Sequence, residues 1–235
     1  MKKAVLFDLY GTLIDIRTDE DDPWVYQMLS RFLSYHAVKI RPEELKDAFV
    51  SGVKEHLKKS SEACPEVDVY AVFKNIMRRY GGGSYSECSI SDVVVLFRSL
   101  TIRSFGLFPN VKEMLESISA KYRIALVSDA QWVFTEPEIV TAGLERFFEH
   151  RVLSSRFGFK KPDRRLFDIA LGKIGVKAAD ALYVGDNPYR DLPGAKNAGM
   201  DFVLFRNEQR EYNGLKPDAC FYDYSELEDL ITREF

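Results

Sequence analysis

The chain has 235 residues, a formal net charge of −3 and a hydrophobic content of 46%. This composition is sufficient for a packed core, and the length fits one large domain or a core with a smaller insert. The negative charge and the lack of a basic tract interleaved with aromatic residues argue against a nucleic-acid partner. No apolar run approaches the ~20 residues that a membrane helix needs, and the first apolar stretch is too short for a signal peptide.

The three cysteines, Cys64, Cys88 and Cys220, lie far apart and show no paired spacing. Such usage is typical of a reducing compartment and does not indicate a zinc site. None of the three histidines has a Ser or Cys partner in a triad pattern. We therefore expect a cytoplasmic protein, a monomer or a homodimer, without histidine-based nucleophilic catalysis.

Residues 4–7 form a short apolar stretch that is followed by Asp8 and then by Gly11 and Thr12. The pattern predicts a buried strand with Asp8 at its carboxyl end. Because ligands of open α/β sheets bind at that end of the strands, Asp8 can act there as a nucleophile or a metal ligand. Taken alone, Asp-x-x-Gly-Thr is more typical of a capped strand and a tight turn, so its interpretation depends on the later strands.

A helical insert follows, because strand patterns stop after Ile16 and return only at Ile124. Apolar residues at helical spacing predict four helices, over about 22–38, 42–59, 67–80 and 91–105. We predict that residues 17–105 form this four-helix insert and that residues 1–16 and 106–235 form the core. The insert contains several arginines that are candidates for binding a substrate anion, namely Arg31, Arg78, Arg79, Arg98 and Arg103.

Helical and strand patterns alternate from residue 106 onward. Helices are predicted over about 111–120, 137–144, 164–173, 192–198 and 224–235. Strands are predicted to end at Val127, Ser154, Val184 and Phe205, with a last strand near Phe221. This alternation predicts an α/β fold with a parallel, doubly wound sheet.

Two later segments carry polar residues that suit an anionic ligand. Ser128 and Asp129 follow the second buried strand, and the Ser128 hydroxyl can donate a hydrogen bond to an anionic oxygen. Lys161 precedes Pro162, which holds it in an extended loop before a helix, so its ammonium can neutralise charge at the site. Each residue alone also has a structural interpretation, a helix cap for Ser128 and a solvated lysine for Lys161.

Asp186 and Asp191 follow the predicted strand that ends at Val184. If they converge with Asp8 in one crevice, the carboxylates repel one another unless a cation lies between them. Hard oxygen ligands of this kind suit Mg²⁺. The structural alternative is a turn in which Asp191 caps the next helix.

In this order, the four motifs resemble those of the haloacid dehalogenase (HAD) superfamily of aspartate-nucleophile hydrolases, from Lys3 to Phe221. The resemblance implies a Rossmannoid core, a helical cap over the active site, and a Mg²⁺-dependent phosphatase acting on a small, anionic phosphorylated metabolite. It implies catalytic roles for Asp8 and Lys161. It implies substrate contacts by Tyr10, Thr12, Ser128, Asp129 and Lys161, and Mg²⁺ ligation by Asp8, Asp186, Asp191 and the backbone carbonyl of Tyr10.

The first and fourth motifs favour different branches of this superfamily. Most of its phosphatases carry a second Asp where this chain has Tyr10, and the form with Tyr resembles the metal-free L-2-haloacid dehalogenases. Those dehalogenases usually have Ser-Ser-Asn around Asp186 and a Tyr at Phe167. We favour the phosphatase, because an extra carboxylate at Asp186 would repel a leaving halide. A dehalogenase and a catalytically weak binding protein stay as alternatives.

Overall fold

The computed structural model describes residues 2–209 and 211–235, which fold around a parallel sheet. The strands are β1 (Ala4–Phe7), β2 (Ile14–Thr18), β3 (Ile102–Leu107), β4 (Arg123–Ser128), β5 (Arg151–Leu153), β6 (Ala181–Gly185), β7 (Asp201–Phe205) and β8 (Ala219–Phe221). The helices are α1 (Pro23–Tyr35), α2 (Pro42–Lys59), α3 (Val69–Gly81), α4 (Glu87–Thr101), α5 (Val111–Ser119), α6 (Trp132–Thr141), α7 (Arg164–Ile174), α8 (Asp191–Ala198) and α9 (Leu227–Glu234). Among these helices, none combines the length and the apolar composition that crossing a membrane requires.

The central sheet has the strand order β5-β4-β1-β6-β7-β8, and all its strands run parallel. The first strand is fully buried because it is covered on both faces, which explains its continuous apolar run. Val5 and Phe7 face the core layer that contains residues of α5 and α9, whereas Leu6 faces the layer of α7 and α8. The predicted α/β fold with a doubly wound sheet is confirmed.

The helices α1 to α4 pack around their own hydrophobic cluster, which includes Leu29, Phe49, Phe73 and Phe97. They lie in the chain between β2 and β3, which pair with each other in antiparallel register, Ile16 opposite Phe105. The predicted boundaries at residues 16 and 106 therefore fall inside this strand pair, and the division into core and cap stays a prediction. Below, "the cap" means α1 to α4.

The bounds of two predicted helices were wrong. The fourth cap helix ends at Thr101 instead of Phe105, because the following residues pair with β2, a partner more than 80 positions away in the sequence. Helix α6 begins at Trp132 instead of Pro137 and keeps this proline in its interior. Val133 and Phe134 of its first turn pack into the hydrophobic cluster of the cap, and this burial offsets the backbone hydrogen bond that a proline cannot donate.

Candidate active site

Asp8 lies at the carboxyl end of β1, in the middle of a buried group of charged side chains. Its backbone N–H donates to the carbonyl of Val184 at 2.9 Å, so the residue continues the ladder between β1 and β6. Its Oδ1 accepts from the N–H of Leu9 at 2.8 Å, and its Oδ2 lies 3.0 Å from Nζ of Lys161. The sheet therefore fixes the backbone of Asp8, while the N–H of Leu9 and the ammonium of Lys161 hold one carboxylate oxygen each.

Lys161 is the cation of this group, and its side chain is 1% exposed. The ammonium lies 2.7 Å from Oδ1 of Asp191 and donates to the hydroxyl of Tyr183 at 3.0 Å. Burial alone would lower its pKa, but the charges of Asp191, Asp8 and Asp129 outweigh it, so the pKa of Lys161 is raised. The lysine is therefore positively charged, and its charge is tolerated because it is paired.

Asp186 directly follows β6, Asp191 begins α8, and both carboxylates lie close to that of Asp8. We call these three residues the acidic cluster. One carboxylate oxygen from each lies within 4.8 Å of the others. Burial, followed by repulsion from Asp8, raises the pKa of Asp186 to about 6. Burial also raises the pKa of Asp191 to about 7, and the charges of Asp8 and Asp186 add to that rise against the opposing effect of Lys161. Three carboxylates thus converge beside one ammonium, which pairs with Asp8 and Asp191.

The acidic cluster fits a divalent cation. Oδ1 of Asp191 is buried, and its ionic partner is the ammonium of Lys161 at 2.7 Å. The loop after Asp8 approaches the cluster closely at Gly11, where φ is +79° and an added Cβ would lie 2.6 Å from Oδ2 of Asp186. Only glycine suits that position. The three carboxylates supply hard oxygen donors of the kind that Mg²⁺ binds.

Thr12 and Asp129 hold the loops around the acidic cluster in place. The hydroxyl of Thr12 donates to Oδ1 of Asp186 at 3.0 Å. Oδ1 of Asp129 accepts from the backbone N–H of Lys161 at 2.8 Å, and its Oδ2 accepts from Nη1 of Arg190 at 3.0 Å. Asp129 therefore fixes the loop that carries Lys161. This structural role could not be predicted from its position after a strand.

Tyr10 points its side chain away from Asp8 toward the junction of core and cap. Its hydroxyl lies 2.9 Å from Oγ1 of Thr135 and donates to Oε2 of Glu138, both on α6. Nε of Arg98, on the cap helix α4, donates to Oε1 of the same glutamate at 2.6 Å. Burial, followed by the charge of Glu138, raises the pKa of Tyr10, so its phenol keeps its proton. We call Tyr10, Thr135, Glu138 and Arg98 the bridging cluster.

A cavity of about 330 Å³ lies between cap and core, and its lining residues Lys160 and Arg190 directly precede Lys161 and Asp191 in the chain. Its polar lining comes from Tyr10, Glu66, Arg98, Asp129, Lys160 and Arg190. Among the arginines that the sequence analysis proposed as anion ligands in the insert, Arg98 lines this cavity. The sequence did not indicate Glu66, Lys160 or Arg190 as site residues. Lys160 and Arg190 nevertheless directly precede two residues that it did indicate, Lys161 and Asp191.

The structure thus brings together most of the predicted site residues. Asp8, Lys161, Asp186 and Asp191 contact or approach one another, while Ser128 ends the neighbouring strand β4 and is buried. Tyr10 belongs to the same loop, but its hydroxyl contacts α6. The roles of these residues in catalysis and substrate binding stay predictions, whereas their convergence at one sheet edge is observed.

The family model of haloacid dehalogenase-like hydrolases matches residues 5–205, which include Asp8, Lys161, Asp186 and Asp191. The match extends over well more than half of the chain. The chain belongs to this family of hydrolases. The resemblance inferred from the four motifs is therefore confirmed, and the protein is an enzyme of the hydrolase class.

Several curated relatives and several solved structures of other proteins are similar to this HAD-like hydrolase. Glyceraldehyde 3-phosphate phosphatase of Methanothermobacter thermautotrophicus is 28% identical over 165 residues, which are 67% of this chain and 73% of that relative. Further relatives with the same name are matched over 52% to 88% of their own length. The match with this chain therefore spans only about half the length of some of these relatives.

Solved structures show the same fold with two kinds of chemistry. A 2-haloacid dehalogenase from Pseudomonas syringae pv. Tomato DC3000 has a TM-score of 0.68 and 23% identity, with 99% of both chains covered. A HAD phosphatase from Thermococcus onnurineus has a TM-score of 0.61 and 24% identity, also with 99% of both chains covered. Likeness at these identities shows the fold alone, so the choice between the two reactions depends on the site itself.

Proposed function

We propose that this HAD-like hydrolase is a Mg²⁺-dependent phosphatase that hydrolyses a small phosphorylated metabolite through Asp8. The observation that carries the proposal is the acidic cluster, in which three carboxylates converge while the ammonium of Lys161 pairs with two of them, Asp8 and Asp191. A dehalogenase needs no metal, and the additional charge at Asp186 would repel a leaving halide. The relatives named glyceraldehyde 3-phosphate phosphatase support a phosphorylated substrate.

The acidic cluster supplies the ligands for the metal. Carboxylate oxygens of Asp8, Asp186 and Asp191 would hold Mg²⁺, together with the backbone carbonyl of Tyr10. When bound, Mg²⁺ supplies positive charge that offsets the carboxylates and stabilises the phosphoryl oxygens.

Asp8 would carry the covalent chemistry. A carboxylate oxygen of Asp8 forms a bond to phosphorus while the bond from phosphorus to the leaving oxygen breaks, which gives an aspartyl phosphate and an alkoxide that takes a proton from water to become the alcohol. Water then attacks the phosphorus of the aspartyl phosphate, which restores the Asp8 carboxylate and releases inorganic phosphate. The ammonium of Lys161, 3.0 Å from Oδ2 of Asp8, offsets negative charge in both steps.

The proposed site lacks an efficient proton donor for the leaving group. Tyr10 occupies the position where most phosphatases of the superfamily have an acid/base Asp, but its hydroxyl is bound to Glu138 and its pKa is raised. A phenol held in this way is a poor proton donor near neutral pH. We therefore expect turnover to increase steeply with the acidity of the leaving alcohol.

Phosphate release with and without Mg²⁺ tests the proposal. A nitrophenyl phosphate should be hydrolysed when Mg²⁺ is present, and chelation with EDTA should abolish the reaction. The competing candidate is an L-2-haloacid dehalogenase, which the sequence Asp-x-Tyr-Gly-Thr-Leu favours. Chloride release from L-2-chloropropionate in EDTA, with phosphate esters left intact, would select that candidate and reject the phosphatase.

A further inference from the structure

Lys160 is a cation of the cavity whose charge acts on the carboxylate of Glu66, with which it forms no ion pair. Its backbone N–H donates to the carbonyl of Cys64 at 2.9 Å, which fixes the residue directly before Lys161. The side chain lines the cavity between cap and core. Its ammonium forms no ion pair with a carboxylate of residues 2–209 or 211–235. A half-buried lysine of this kind keeps its capacity to bind an anion.

Arg190 is the second cation on the core side of the same cavity. One of its nitrogens, Nη1, donates to Asp129, and 44% of the side chain is exposed. Burial would lower the pKa of Arg190, but the charges of Asp129, Asp191, Asp8 and Asp186 raise it. The guanidinium therefore lies close to the acidic cluster, and a single bond to Asp129 leaves donors of its planar fork for another acceptor.

The anionic groups of the cavity are already bound. Asp129 accepts from the backbone of Lys161 and from Arg190. The carboxylate of Glu66 accepts from the hydroxyl of Ser154 at 2.6 Å and from the N–H of Val67 at 2.9 Å. Arg98, the cation on the cap side, is paired with Glu138. The charge of Lys160 opposes the rise that burial causes in the pKa of Glu66, but the two side chains form no ion pair, so the ammonium of Lys160 stays available to a further anion.

We propose that Lys160 and Arg190 bind a second anionic group of the substrate, either a carboxylate or a second phosphate. This inference rests on the proposed phosphatase function, since the first phosphate is the one that Asp8 attacks. The cavity of about 330 Å³ is at the small end for ligand sites, which suits a short phosphorylated acid. Lys160 and Arg190 are then specificity-determining residues.

Three matched esters test this inference on the wild-type enzyme with Mg²⁺. Glycerol 3-phosphate has a neutral second end, 3-phosphoglycerate replaces it with a carboxylate, and glycerol 1,3-bisphosphate replaces it with a phosphate. All have a primary alcohol as leaving group, so differences in kcat/KM report binding of the second group. At least one of the two esters with an anionic second end should exceed glycerol 3-phosphate in kcat/KM by about tenfold to a hundredfold, as expected for a charge-assisted hydrogen bond.

Substitutions at Lys160 test whether this residue causes the preference for an ester with an anionic second end. Lys160→Met should reduce the ratio of kcat/KM between the preferred ester and glycerol 3-phosphate to near one, and Lys160→Arg should restore it. The matched control is Lys173→Met at the end of α7, an exposed lysine outside the cavity, which should keep the wild-type ratio. The loss in Lys160→Met should be mainly in KM, because the residue is proposed to bind and not to react.

The outcomes separate this inference from the proposed function. Hydrolysis of all three esters at similar kcat/KM, or an unchanged ratio in Lys160→Met, overturns the inference and leaves the phosphatase intact. Absence of phosphate release from every ester and from nitrophenyl phosphate rejects the phosphatase, and the inference falls with it.

Discussion

Asp8 and Tyr10 are two residues apart in one loop, yet they belong to two buried ionic clusters of opposite character. In the acidic cluster, three carboxylates converge beside one ammonium that pairs with two of them, and the pKa values of Asp186 and Asp191 are raised. In the bridging cluster, the carboxylate of Glu138 is matched by Arg98 and accepts the Tyr10 hydroxyl. Unbalanced buried charge indicates a ligand site, whereas balanced charge indicates a structural contact.

The bridging cluster connects three parts of the molecule. It joins the loop after β1, the core helix α6 and the cap helix α4. The guanidinium of Arg98 also lies over the rings of Phe134, at 4.5 Å, and Tyr10, at 5.2 Å. Its expected contribution is therefore to the docking of cap on core, and the predictions below separate that contribution from catalysis.

Asp8→Asn has the largest expected effect. The amide has the shape of the carboxylate but is a far weaker nucleophile, so kcat for nitrophenyl phosphate should fall by at least ~10⁴-fold. Asp15→Asn is the matched control, since Asp15 is an exposed carboxylate on β2 and its variant should keep the wild-type rate. Comparable turnover in an Asp8→Asn protein that circular dichroism shows to be folded would remove Asp8 from the mechanism.

Glu138→Gln should mainly reduce stability. Both side chains of the Arg98–Glu138 pair are 11% exposed, and breaking a buried pair by removing one charge costs about 3 kcal/mol or more. Glu136 on the same helix offers a control, because its pair with Arg151 is more exposed, and Glu136→Gln should cost about 1 kcal/mol or less. Urea denaturation measures both, and equal losses would contradict the structural importance of the bridging cluster.

Tyr10→Phe should have the smallest effect. It removes the hydrogen bond to Glu138, which should cost about 1.5–3 kcal/mol of unfolding free energy, and it keeps the pairing of Glu138 with Arg98. The ratio of kcat between aryl and alkyl phosphates should stay at the wild-type value, because the phenol is not the proton donor. A large loss of kcat in Tyr10→Phe would show that the hydroxyl is catalytic and would strengthen the dehalogenase alternative.

The acidic cluster was predictable because it depends on strand ends. Asp8 and Asp186 each follow a buried apolar run, and parallel strands present their carboxyl ends at one edge of the sheet. The alternation of helices and strands was equally visible, so the fold class followed from local patterns. Local patterns in the sequence therefore predicted the positions of helices and strands and of the residues at their ends.

The bridging cluster was not predictable, because its contacts join distant residues through side chains. Arg98 and Glu138 are 40 residues apart on different helices, and neither shows a local pattern that indicates the other. The orientation of Tyr10 away from Asp8 is likewise decided by Glu138. Strand β3 was missed for a similar reason, since its pairing with β2 is a long-range interaction that overrides the helical pattern of the preceding residues.

Mg²⁺ binding by the acidic cluster is the central claim, and thermal unfolding tests it directly. Mg²⁺ at a hundredfold excess over its Kd should stabilise the wild-type protein by ~2.7 kcal/mol, while Asp186→Asn should lose most of this gain and Asp15→Asn should keep it. In metal-free buffer, Asp186→Asn should unfold at a higher temperature than wild type, because the amide no longer repels Asp8. A wild-type protein that Mg²⁺ does not stabilise, or an Asp186→Asn protein that gains as much as wild type, would contradict the account.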